Sequence, residues 1–239
     1  MTMFTLGILN CDELSEALKP DYESYARMFE ELFGRYTQLE VKRYEVLEGH
    51  YPQCMSECSA YLITGSKTGV YDDEHWLGPL ADFIRAAYAD SQRLMGICFG
   101  HQMIAHTLGG EARKSNKGWG VGALTHTRQS EHAWMTPMPE RITLLYSHQD
   151  QVVALPKEAE LLYGSEFCPV GAYWVPGRVL SFQGHPEFNR DYCRRLMEAR
   201  KDRYAPGQFE SGMNSLCLDI DTHYPVRWLL KFMKGEDIS

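Results

Sequence analysis

The chain has 239 residues, 44% apolar and 23% charged, proportions of a folded globular protein that exclude wholesale disorder. A formal net charge of -8 argues against broad contact with nucleic-acid phosphates, and no run approaches the ~20 apolar residues that span a bilayer, so neither a nucleic acid nor a membrane is an expected partner. The start, Met1 to Gly7, lacks the basic region of a signal peptide, and the seven cysteines are scattered and odd in number, which points to reduced thiols and a cytoplasmic location.

In chain order, apolar bursts alternate with helical patterns, the mark of an α/β layout. Phe4 to Leu9 reads as a buried strand, with Asn10, Cys11 and Asp12 at its exit as candidates to touch a ligand. Tyr22 to Leu32 places Tyr25, Met28, Phe29 and Leu32 at helical spacing. Leu39 to Val46 is a second strand and Ala60 to Thr64 a third, stopping at Gly65. Trp76 to Tyr88 follows as a helix, Leu94 to Ile97 as a strand and Gln102 to Leu108 as a helix. Beyond it, Gly120 to Thr127, Ile142 to Tyr146, Leu161 to Ser165, Val170 to Val175 and Val179 to Phe182 are short and strand-like, suggesting antiparallel pairing added to a parallel centre. Asn189 to Lys201 is a helix with Asn189 as its N-cap, and Pro225 to Lys234 is a last amphipathic helix. Arg194 to Arg203 reads as a solvated helix face, and 203–224 as a surface loop or appendage on a single domain spanning 1–239.

The sharpest feature is Gly96-Ile97-Cys98-Phe99-Gly100-His101-Gln102. A strand runs into a cysteine with a glycine two positions to either side, and a helical pattern follows at once. A tight strand-to-helix turn crowds those two positions, which only glycine relieves, and it leaves the cysteine at a helix N-terminus, where the thiolate is favoured. Alone, the pattern also fits a buried structural cysteine. Two further segments weigh against that. Gln183-Gly184-His185-Pro186-Glu187 follows a strand, so His185 is expected on the same sheet rim, with Glu187 placed to orient the imidazole. Leu62 to Gly69 is a strand entering a glycine-bearing turn one βα unit before the cysteine, where a backbone N–H can act as an oxyanion donor beside that of Phe99. His101 is equally compatible with packing and with lining a pocket, and Trp119 with the core and with a substrate wall. Cys54 and Cys58 lack a second ligand pair, so no metal is expected, and no cofactor motif is present.

These segments, in this order, together with Tyr146-Ser147-His148-Gln149-Asp150-Gln151-Val152, resemble the class I glutamine amidotransferase domain, including its free-standing GMP-synthase-like members and the γ-glutamyl peptidases. The resemblance covers Phe4 to about Ala199, with His185 standing 87 positions after Cys98. It implies an open, mostly parallel, flavodoxin-like twisted sheet with flanking helices and added antiparallel strands. It implies a catalytic set of Cys98, His185 and Glu187, and an oxyanion hole from Ser66 and Phe99. Substrate contacts would come from Gly65, Gln102, Ser147, His148, Gln149 and Asp150. The implied substrate is a small γ-glutamyl compound, cleaved through a thioester on Cys98, with a separate synthetase subunit as an alternative partner. A free-standing γ-glutamyl hydrolase and a redox-sensing relative are the other readings. Two departures stand out. The turn usually written Gly-Gly-Pro is here Gly65-Ser66-Lys67, and with 239 residues a fused ATP-binding synthetase is not expected.

Overall fold

The structure, a computed structural model, describes residues 4–236. Met1 to Met3, part of the segment in which no export signal was read, lie outside the described residues, as do Asp237 to Ser239. Strand β1 (Thr5–Asn10) leads through a short helix α1 (Lys19–Tyr22) to α2 (Tyr25–Gly34), β2 (Glu40–Glu45), β3 (Ala60–Ile63), α3 (Leu77–Ala89), β4 (Arg93–Ile97) and α4 (Phe99–Thr107). The second half holds β5 (Glu111–Lys114), β6 (Gly120–Arg128), β7 (Arg141–His148), β8 (Asp150–Ala154), β9 (Glu160–Gly164), β10 (Ala172–Val175) and β11 (Val179–Phe182). It closes with α5 (Arg190–Ala199), α6 (Gln208–Ser215) and α7 (His223–Met233).

Nine strands form one sheet in the order β2-β1-β3-β4-β11-β10-β9-β6-β7. From β2 to β11 the neighbours run parallel, and from β11 to β7 they are antiparallel. β5 and β8 pair with each other as a separate two-stranded ribbon.

The two faces of the parallel half follow from side-chain alternation along each strand. Leu6, Ile8, Leu62, Met95 and Ile97 point to one side, where Phe29 and Phe33 of α2 and Trp228, Leu229 and Phe232 of α7 cover them. Leu9, Tyr61, Ile63 and Leu94 point to the other, under Leu80 and Ile84 of α3 and Met103 and Ile104 of α4. The Asn189 cap agrees with the sequence reading, and Ser24 adds a cap that was not expected. Ser24 starts α2 by accepting the Arg27 N–H at 3.1 Å, and Asn189 starts α5 by accepting that of Tyr192 at 2.8 Å.

Within the segment read as loop, residues 208–215 are helical. Helix α6 lies on β6, where Ser215 Oγ accepts the Ala123 N–H at 2.8 Å and Gly212 meets Val121. Among the described residues, no helix is long and apolar enough to cross a membrane, and no cluster of three or more His, Cys, Asp or Glu is placed to hold a metal ion.

Candidate active site

Strands β1, β3, β4 and β11 are parallel, so their C-terminal ends share one rim. Asp12, Ser66, Cys98 and His185 all lie just beyond those ends. In the order β2-β1-β3-β4, the connections leave β1 and β3 toward opposite faces, which opens a crevice above those two strands.

At Cys98 the chain turns from β4 into α4 with φ 54° and ψ -101°. A non-glycine residue at positive φ stores roughly 1–3 kcal/mol of strain, and such strain concentrates at functional sites. The surroundings force it. A Cβ on Gly96 would lie 2.7 Å from the Gly100 carbonyl, and one on Gly100 would lie 2.2 Å from the Ile63 carbonyl oxygen. The turn is tied on both flanks, Cys98 N–H donating to Phe182 O at 2.9 Å and Gly100 N–H to Thr64 O at 3.1 Å. Phe99 heads α4 and its N–H has no acceptor among the described residues, as expected for a first-turn donor.

His185 follows β11. Its N–H donates to Leu145 O at 2.9 Å, and its ring stacks on Phe188 with centroids 3.8 Å apart. Nδ1–H donates to Glu187 Oε1 at 2.7 Å, which leaves Nε2 as the ring nitrogen open to the thiol. A Cβ on Gly65 would come within 3.0 Å of His185 Cε1 and 3.8 Å of Cys98 Cβ, so thiol and imidazole converge on this glycine. Burial opposes charge on the imidazole. The Glu187 carboxylate, then the charge of Cys98 and a hydrogen bond with it, outweigh that opposition and raise His185 to about 10. The Glu187 side chain is fully buried.

Cys98 opens into a cleft of about 310 Å³ whose wall includes Ser66 to Gly69, Gln102 and Ser147 to Asp150. Of the expected substrate contacts, Gln102, Ser147, His148, Gln149 and Asp150 thus lie in one wall, and Gly65 lies behind it against His185. Several have structural duties. Gln102 Nε2 donates to Asp150 O at 2.8 Å and Gln183 Oε1 at 3.0 Å, joining α4 to β8 and β11. The His148 ring bonds through Nδ1 to Asp150 O at 3.0 Å, and burial holds it neutral, with a pKa lowered to about 3. Burial pushes the Asp150 carboxyl upward, against the opposing effect of the Tyr71 hydroxyl donating to it at 2.9 Å.

The structure decides some readings that the sequence leaves open and departs from others. His101 is wholly buried beneath the site. It bonds to Ser181 Oγ at 2.7 Å and Val170 O at 3.2 Å, and burial lowers it to about 3, a packing role. Asn10, Cys11 and Asp12 do not line the cleft. Asn10 Nδ2 instead donates to Glu45 Oε2 at 2.8 Å, and Asp12 turns to the Ser66-Lys67 turn. The solvated helix face holds for Arg194, paired with Asp191 and Glu198, whereas Arg200 and the exposed Arg203 lie past the end of α5 and line the cleft. Trp119 is in the wall. Lys114, Tyr71 and Asp72 are wall residues that the sequence reading missed. Tyr71 and Asp72 leave one trace, their proximity in sequence to the turn 65–69, and Lys114 leaves none.

Residues 22–194 match the profile of the family described as glutamine amidotransferase class-I. The chain belongs to the class-I glutamine amidotransferase family. Within it, this amidotransferase-family chain is 31% identical over 184 residues to γ-glutamyl peptidase 4 of Arabidopsis thaliana, covering 74% of this chain and 73% of the relative. It is 29% identical over 245 residues to a putative glutamine amidotransferase-like protein of Schizosaccharomyces pombe, covering 96% and 98%. Its fold superposes on a crystal structure of a glutamine amidotransferase from Thermotoga maritima with a TM-score of 0.76 at 20% identity, covering 98% and 100%.

Proposed function

We propose that this protein cleaves the γ-amide of a γ-glutamyl compound through a thioester on Cys98. The observation that carries the reading is the strained Cys98 turn at the head of α4, with the His185–Glu187 pair beside it. In the first step the Cys98 thiolate attacks the γ-carbonyl carbon. A C–S bond forms, and the carbonyl π electrons move onto oxygen. The N–H groups of Phe99 and Ser66 receive that oxyanion. As the tetrahedral adduct collapses, the C–N bond breaks and His185 gives its Nε2 proton to the departing amine. His185 then takes a proton from water, whose oxygen attacks the thioester. Glutamate leaves and the thiolate returns. Glu187 holds the imidazole in the tautomer that both steps need.

One observation favours a peptidase over an ammonia-delivering subunit. Lys114, Arg200 and Arg203 line the cleft, and among the described residues none of them is ion-paired with a carboxylate. A γ-glutamyl group brings one α-carboxylate, for which Arg200, braced on Ser147 Oγ at 3.1 Å, is the proposed partner. The remaining cations suit an amine that itself carries a carboxylate, as in a γ-glutamyl peptide. The test is turnover by the isolated protein of glutamine, γ-glutamylglycine and γ-glutamyl methylamide, with intact mass to detect an adduct of 6-diazo-5-oxonorleucine on Cys98. The peptidase reading expects γ-glutamylglycine to exceed both others in kcat/KM by about tenfold, with the margin shrinking in salt. An adduct on another residue, or turnover retained by Cys98→Ala, would end the thioester mechanism.

A further inference from the structure

The turn 65–69 has to present the Ser66 N–H to the developing oxyanion, and it contains no proline to stiffen it. We infer that Asp12 is the positioning residue that fixes this turn, so that the oxyanion donor is set by a carboxylate from a different strand. The inference rests on the catalytic reading above.

Asp12 follows β1, the strand beside β3, at the crevice where the connections diverge. Its side chain is 4% exposed yet absent from the cleft wall. Oδ2 accepts the Lys67 N–H at 2.9 Å. Oδ1 pairs with Lys67 Nζ at 2.9 Å and accepts the Glu13 N–H at 2.9 Å. One carboxylate therefore grips Lys67 at both backbone and side chain. A second tie lies one residue before Asp12 and three before Lys67, where Cys11 N–H donates to Thr64 Oγ1 at 2.9 Å.

The peptide that carries the Lys67 N–H meets the peptide that carries the Ser66 N–H at the Ser66 Cα. Fixing the first plane restricts the second to rotation about one residue. Downstream donors are also engaged, Thr68 N–H on Ser66 Oγ at 3.2 Å and Gly69 N–H on Asp72 Oδ2 at 2.7 Å. Ser66 N–H has no acceptor among the described residues, and Ser66 lines the cleft. A proline at position 67 would stiffen the turn by its ring and offer no N–H. Lys67 offers an N–H and an ammonium, and Asp12 uses both.

The experiment compares Asp12→Ala and Asp12→Asn with the wild-type chain on the best γ-glutamyl substrate. Two readouts are taken, steady-state kinetics and the rate of Cys98 alkylation by iodoacetamide. Alkylation displaces iodide at a saturated carbon and creates no oxyanion, so it reports the thiol alone. Complete loss of one oxyanion donor costs about 10²–10³ in rate, and a loosened donor costs less. D12A is expected to lower kcat about 10- to 100-fold with KM within about threefold and alkylation within about twofold. D12N keeps an oxygen for the Lys67 N–H and loses the charge for Nζ. It is expected to fall about three- to tenfold, and it carries the test if D12A does not fold. Wild-type kcat in the variants, or alkylation falling in parallel with kcat, overturns the inference. Absence of turnover by the wild-type chain overturns the catalytic reading as well, so the two failures are distinguishable.

Discussion

The parallel and antiparallel halves of the sheet divide the candidate site between them. The parallel half supplies Cys98, His185 and the Ser66 turn, each at the exit of a strand whose direction its neighbours fix. The antiparallel half and its ribbon supply walls: Ser147 to Asp150 between β7 and β8, and Lys114 at the end of β5. In the first set, Cys98 and His185 are tied by buried backbone bonds and the Ser66 turn by the buried Asp12 carboxylate. The second is partly solvated and held by side chains. The contrast teaches that chemistry and recognition are separable here, so changes in the first should appear in kcat and changes in the second in KM.

The sharpest way to break that division is Cys98→Ala, expected to remove turnover by about 10⁴-fold or more in a steady-state assay while binding of substrate, read by calorimetry, persists. Glu187→Gln comes next. With its folded value raised above 6.5, His185 keeps its proton until the pH nears about 10, so turnover that needs the imidazolium falls as pH rises through that value. The same pairing stabilises the fold fully below the unfolded value and is lost through about 10. Removing the Glu187 charge should lower kcat about 10- to 100-fold and move the alkaline limb down by about one unit or more, which a pH–rate profile reads directly. A limb that stays in place would show that Glu187 does not set the proton affinity.

On the recognition side, Arg200→Gln is expected to raise KM about fivefold with kcat changed less than about twofold. An equal fall in kcat would erase the distinction between the halves. Lys114→Gln, at the exposed rim, should cost about twofold at low ionic strength and nothing measurable in about 0.5 M salt. Asn189→Ala tests the scaffold alone. Loss of the α5 cap should cost about 1 kcal/mol and lower Tm by about 2–4 °C, with kinetics unchanged.

Legibility in the sequence followed the same divide. β11 was readable at both ends, Val179 to Phe182, because a buried parallel strand is a continuous apolar run. Cys98, His185 and Glu187 were readable because tight turns demand glycine and leave a pattern. β5 was not, since Glu111-Ala112-Arg113-Lys114 buries one side chain and exists through its pairing with β8. Helix α6 was missed for a like reason. Its apolar spacing is sparse, with Phe209 and Met213 only partly buried, and its place is set by contacts with β6. Arg200 and Asp12 look locally like surface charge and exit-loop polarity. Only folding brings them to Ser147 and Lys67.

The β5–β8 ribbon shares no ladder with the nine-stranded sheet, yet it packs on α4, and its last register pair, Lys114 opposite Asp150, stands at the mouth of the cleft. A change in length or charge where β5 ends at Lys114 and β8 begins at Asp150 can therefore widen, narrow or recharge the mouth while leaving the sulfur and the imidazole where they are. The fold thereby separates the rim that carries the thiol and imidazole from the ribbon that frames the opening.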